Sequence, residues 1–146
     1  MFEIKIAERE HLSLVAELER ATFFDPWSEK ALELFVTDGG FCVICLEDGA
    51  LCSYCTLTTV LDEAQIINVA TSDPFKRRGC ARAVIERVLN ECKKRDIASI
   101  SLEVRESNSG AIALYESLGF AIVGKRNNFY TNPRENALVM VREKLV

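Results

Sequence analysis

"FKRRGCARAVIERV", residues 75–88, crowds Lys76, Arg77, Arg78 and Arg82 around two small residues, Gly79 and Ala81, where a helical spacing begins. From Ala81 onward Val84, Ile85, Val88, Leu89 and Cys92 share one face, so an amphipathic helix starts inside the basic cluster. A helix start presents unpaired N–H groups and the positive end of the backbone dipole. Glycine there lets another group approach the backbone closely. Crowded arginines repel one another, so the stretch reads as a site for an anion such as phosphate. It is not a Walker loop, because no Gly-Lys-Ser/Thr follows, nor a dinucleotide fingerprint, because Gly-x-Gly-x-x-Gly is absent. On this stretch alone, a solvated basic face carries equal weight.

The surrounding chain is acidic. Residues 76–95 carry eight basic and two acidic side chains, within a 146-residue chain of formal charge −4. The overall sign argues against nucleic-acid binding by bulk attraction and favours one local anion site. Apolar residues make up 49% and charged residues 27%. A single compact domain over 1–146 is expected, with a core large enough that its six cysteines need not be staples. "MFEIKIAEREH" at the start is no signal peptide, and no apolar run approaches the ~20 residues that cross a bilayer. A cytoplasmic protein without membrane association is expected.

Working outward, "FEIKIA" alternates as a short strand, and Leu12, Val15, Leu18, Glu19 and Thr22 give helical spacing from Glu10 to about Phe23. Ser28 is placed to cap a second helix that stops at "TDGG". Asp48-Gly49 between two apolar runs predicts a β-hairpin, and "AQIINVAT" a further strand ended by "SDP". Downstream of the basic helix, "IASISLEV" puts Ile100, Leu102 and Val104 on one face and Ser101 and Glu103 on the other. Asn108 caps a last helix that Gly119 terminates, before strands at about 120–130 and 137–145. The order predicts an α/β fold, a mixed sheet with helices packed on it.

Cys42-x-x-Cys45 and Cys52-x-x-Cys55 invite a zinc site, yet only six residues separate the pairs. A two-residue turn at Asp48-Gly49 makes Cys45 face Cys52 and Cys42 face Cys55. Positions three apart on a strand point to opposite sides, so four ligands do not converge. Small buried hydrophobes, and no metal, are the expectation. Of the other polar candidates, Glu103 reads from its neighbours as an exposed edge residue or an acid–base group. Tyr115 aligns with Ala111, Ile112 and Leu118 as a core aromatic. His11, the only histidine, has no visible partner, so no Ser-His-Asp or Cys-His arrangement can be argued.

Taken together, "FDPWSEK", "LDEAQIINVA", "KRRGCARA", "SLEVRESNSGAIALYESLGF" and "NNFYTNPRENALVM" resemble the GNAT family, the Gcn5-related N-acetyltransferases, over nearly the whole chain. The family's Gln/Arg-x-x-Gly-x-Gly/Ala motif appears as Lys76-Arg77-Arg78-Gly79-Cys80-Ala81, with Lys76 and Ala81 as mild departures. The resemblance implies the GNAT fold: a mostly antiparallel mixed sheet of about seven strands and about four helices, splayed between the fourth and fifth strands. It implies acetyl-CoA as cosubstrate, its pyrophosphate on the backbone of Arg77, Arg78, Gly79, Cys80, Ala81 and Arg82. Val69, Ala70 and Thr71 would pair with the pantetheine arm, a backbone N–H near Val69 would stabilise the oxyanion, and Asn108 would contact the cofactor. Glu103 would be the general base and Tyr115 the general acid.

By the same resemblance the acceptor would be a protein N-terminus, that of a ribosomal protein beginning with alanine. The segment "FYTNPREN", residues 129–136, which walls the peptide groove in the family, looks shorter here. A small amine or a lysine side chain is the alternative acceptor. A zinc-dependent nucleic-acid-binding module ranks last, because the basic helix lacks interleaved aromatics.

Overall fold

The computed structural model describes residues 2–143. The chain runs through β1 (Glu3–Ile6), a short 3-10 turn, α1 (Leu12–Thr22), α2 (Glu29–Thr37), the hairpin of β2 (Phe41–Glu47) and β3 (Ala50–Val60), and β4 (Glu63–Thr71). It continues with a second 3-10 turn, α3 (Cys80–Lys94), β5 (Ser99–Arg105), α4 (Ser109–Ser117), β6 (Ala121–Tyr130) and β7 (Glu135–Arg142). Local chemistry explains most boundaries. Ser28 Oγ accepts from the Ala31 N–H at 3.1 Å, and Asn108 Oδ1 from the Ala111 N–H at 3.2 Å, capping α2 and α4. Asp48 and Gly49 both take positive φ, 51° and 82°, as a two-residue hairpin turn requires.

The strands form one sheet in the order β1-β2-β3-β4-β5-β7-β6, antiparallel throughout except for β4 beside β5. One face carries α3 and α4: Val84, Ile85, Val88 and Tyr115 pack there against Val43, Leu57, Leu102 and Met140. The other carries α1 and α2, with Val15, Ala16 and Leu32 against Ile44 and Tyr54. Among the described residues no helix is long and apolar enough to cross a membrane.

Two bulges reset the expected pairing. Glu47 and Leu46 face Ala50 and Leu51, but Cys45 faces Ser53, so Cys52 is the extra residue. The expected pairs Cys45–Cys52 and Cys42–Cys55 are therefore replaced by Cys45–Ser53 and Cys42–Thr56. In β4, Asn68 faces Thr56 and Ile66 faces Leu57, which leaves Ile67 as the extra residue. Pairing of β4 with β5 covers only Glu63–Gln65 against Ser99–Ser101. A bulge bends the strand that carries it, and this one lies just past the last β4–β5 pair. The two strands part there, as the splayed sheet requires.

Two smaller corrections concern the C-terminal half. β7 begins at Glu135 rather than 137, and the expected strand residues 144–145 lie outside the described residues. β5 sits between β4 and β7, so Glu103 is not on an edge strand.

The α2–β2 junction has no room for a side chain. A Cβ added at Gly40 would overlap the carbonyl oxygens of Leu57 and Phe35, both backbone atoms, whereas one at Gly49 meets nothing within 4 Å. Gly40→Ala is expected to lower the unfolding free energy by about 3 kcal/mol or more. Gly49→Ala should cost only about 1–2 kcal/mol of left-handed strain. Urea denaturation of the two variants checks that order.

Candidate active site

The segment before α3 turns through left-handed conformations at Arg77 (φ 63°) and Gly79 (φ 82°). Gly79 is the N-cap of α3, and no side chain closes that helix end. The first N–H groups, on Cys80, Ala81 and Arg82, lack intrahelical partners and remain available to an anion. The crowded cations are dispersed in the fold. Lys76 Nζ lies 2.8 Å from Asp73, and Arg78 lies 3.2 Å from Glu47 with its guanidinium over the rings of Phe2 and Phe75. Arg82 Nη2 donates to Ser117 Oγ at 2.6 Å. Among the described residues Arg77 forms no ion pair.

An open cleft of about 410 Å³ runs from this loop between the end of β4 and the start of α4, with Thr71, Arg77, Gly79, Ala81, Gly110 and Leu114 in its walls. Asn108, capping α4, sits at the same end. Val69, Ala70 and Thr71 pair with Cys55, Tyr54 and Ser53 of β3 on one side, and β5 does not pair with them on the other. Ser53 Oγ donates to the Ala70 carbonyl at 2.9 Å and fixes this stretch of β4.

Glu103 projects toward the α1–α2 side, opposite the buried Leu102 and Val104. Its Oε1 accepts from Gln65 Nε2 at 3.2 Å. Gln65 is the last β4 residue paired with β5, so the carboxyl stands where the strands part. Tyr115 lies on the other face, 7% exposed, edge-on to Phe120. Burial raises its hydroxyl pKa, with Cys55 and Tyr130 adding to the effect. No hydrogen bond joins Glu103 to Tyr115. Tyr130, which the sequence reading passed over, lies near both. Its hydroxyl is pushed up to about 12, by burial first and by the charge of Glu103 next.

Two loops flank the Glu103 side. Arg105 holds the β6–β7 connection, donating to the carbonyls of Pro133 at 2.9 Å and Thr131 at 3.0 Å, and stacks on Tyr130. Glu19 holds the α1–α2 connection. Its fully buried carboxyl accepts from Tyr54 Oη at 2.5 Å, Asn68 Nδ2 at 2.6 Å and the Trp27 N–H at 2.9 Å. In the sequence Glu19 sits in the apolar stripe of α1, and that misplaced polarity was the one signal of its role.

The uncapped start of α3 and the β4 edge, parted from β5 after three residue pairs, meet at this cleft. The profile described as the acetyltransferase (GNAT) family matches residues 12–120. The chain belongs to the GNAT family. It is 36% identical, over 96% of each chain, to the ribosomal protein bS18-alanine N-acetyltransferase of Escherichia coli strain K12. The crystal structure of the Escherichia coli ribosomal-protein-S18-alanine N-acetyltransferase superposes with a TM-score of 0.90, at 35% identity over 99% of this chain and 94% of that one. A phosphinothricin acetyltransferase from Sinorhizobium meliloti, solved in complex with AcCoA, shares the GNAT fold at a TM-score of 0.84 and 17% identity, over 98% of this chain and 88% of its own.

Within this GNAT frame Glu19 ties α1, the Trp27 backbone, β3 and β4 to one carboxyl. Glu19→Ala would leave three donors facing a void and is expected to cost about 3–5 kcal/mol of stability. Glu19→Gln, which keeps one acceptor oxygen, should cost about 1–3 kcal/mol. Guanidinium denaturation followed by Trp27 fluorescence reads both.

Proposed function

We propose that this protein is a cytoplasmic, single-domain enzyme that moves the acetyl group of acetyl-CoA to the N-terminal α-amine of a protein. The N-terminal alanine of a ribosomal protein is the acceptor it fits best. The observation that carries the acceptor is the 36% identity, across 96% of both chains, to an enzyme named for that reaction. The site supports the chemistry. Acetyl-CoA supplies an activated thioester and a pyrophosphate, and the uncapped start of α3 suits the latter. The free edge of β4 from Val69 to Thr71 suits an extended arm lying along it, and Asn108 stands at the far wall. A backbone N–H near Val69 would face the oxyanion.

Glu103 takes the proton of the incoming amine. An α-amine has a pKa near 8, so much of it is protonated and unreactive at neutral pH. A base at the strand gap, directly or through a water, removes that obstacle. Tyr115 protonates the departing thiolate. Its raised hydroxyl pKa keeps the proton in place through the neutral range, as an acid requires. The Glu103 side of the sheet, flanked by the loops that Glu19 and Arg105 fix, receives the acceptor peptide.

The test is acetylation of an alanine-initiated peptide followed by mass spectrometry, against the same peptide with a blocked N-terminus and an internal lysine. Transfer confined to the free N-terminus is expected. Transfer to lysine alone would replace the acceptor. Glu103→Gln and Tyr115→Phe should each slow transfer by about 10²–10⁴-fold with acetyl-CoA still bound. In the wild type the rate should climb as pH rises through about 8, where the amine deprotonates. Because the Tyr115 pKa is raised, no alkaline fall is expected before pH about 10, where an ordinary tyrosine would ionise.

A further inference from the structure

Cys52, the extra residue of the β2–β3 bulge, lies on the same face of the sheet as Cys45, and α3 begins over that face with Cys80. The three thiols converge: their sulfurs all lie within 4.8 Å of one another, and all three residues are buried. Three sulfurs bound to one metal at about 2.3 Å sit about 4 Å from each other. Side-chain shifts of under about 1 Å would therefore close this set around an ion. The other cysteines do not extend it. Cys42 lies in the core on the opposite face, and Cys55 and Cys92 lie outside the cluster.

Sulfur-only donors select soft cations, and copper(I) is the softest of the common ones. Zinc, by contrast, takes four ligands in nearly all structural sites. We propose that Cys45, Cys52 and Cys80 form a binding site for one copper(I) ion at the first turn of α3. Binding as thiolates exchanges each S–H bond for a Cu–S bond and releases that proton to solvent. Copper enters as Cu(I) and leaves its oxidation state unchanged. One positive ion on three thiolates leaves a local charge of −2. That charge lies at the helix end where the N–H groups of Cys80 to Arg82 face an anion, and it opposes a phosphate there. Copper loading thus weakens acetyl-CoA binding. This second consequence rests on the proposed function, whereas the site itself does not.

The experiment loads the reduced full chain with Cu(I) under anaerobic conditions from a bicinchoninate complex, then removes the complex by gel filtration. About one copper per chain should remain, and X-ray absorption at the copper edge should show sulfur donors only. Cys80→Ala should lose copper more than tenfold, and Cys42→Ala should keep it, with circular dichroism confirming both folds. Wild-type protein emerging without copper, equal retention by Cys80→Ala, or nitrogen and oxygen donors at the metal would each overturn the site. Calorimetry with acetyl-CoA on loaded and empty protein reads the coupling, for which at least a tenfold weakening is expected. Equal affinity with copper held would overturn the coupling. Absence of binding to empty protein would count against the acetyltransferase reading and leave the copper result standing.

Discussion

Everything distinctive in this structure depends on where β4 stops pairing with β5. Three residue pairs hold the two strands, and then the Ile67 bulge bends β4 away. The cost is a strand edge left without its ladder partner inside the sheet. What it gains is a length of β4, from Val69 to Thr71, left open beside the cleft at the start of α3. Glu103 stands on the α1–α2 side of the sheet and Tyr115 on the α3–α4 side.

The opening is stable because its rims are fixed independently. On one rim the buried carboxyl of Glu19 gathers a tyrosine hydroxyl, an asparagine amide and a loop N–H, so β4 and the α1–α2 connection move together or not at all. On the other, Arg105 binds the β6–β7 connection through two carbonyls and an aromatic face. Both anchors use a charge-bearing side chain to satisfy backbone groups, which is how loops without regular structure are held in place.

Signals confined to one segment were legible in the sequence. The Asp48-Gly49 turn, the Ser28 and Asn108 caps, the Gly119 stop and the alternation that turns Glu103 away from Leu102 all depend on residues close together in the chain. The bulges at Cys52 and Ile67 are relations between two strands, and no single segment records them. That is why the cysteine pairing came out one residue wrong. Edge position is likewise a property of the finished sheet, so Glu103 gave no sign that it lies in an interior strand. Tyr130 stayed hidden, and Glu19 showed only as a polar residue in an apolar stripe, for a related reason: their partners, Glu103 and Asn68, are distant in the chain. The GNAT resemblance drew attention to Glu103 and Tyr115, whose own neighbourhoods favoured bland readings.

The bare start of α3 has a thermodynamic side. Ser28 and Asn108 let α2 and α4 finish themselves, but α3, the longest helix, ends at a glycine with no side chain to offer. Its last missing hydrogen-bond partners must come from solvent or from a bound anion. An anion that occupies that end acts as an intermolecular cap, and its binding energy is added to the stability of the native state. The folded population of this protein is thereby linked to the concentration of whatever anion it holds.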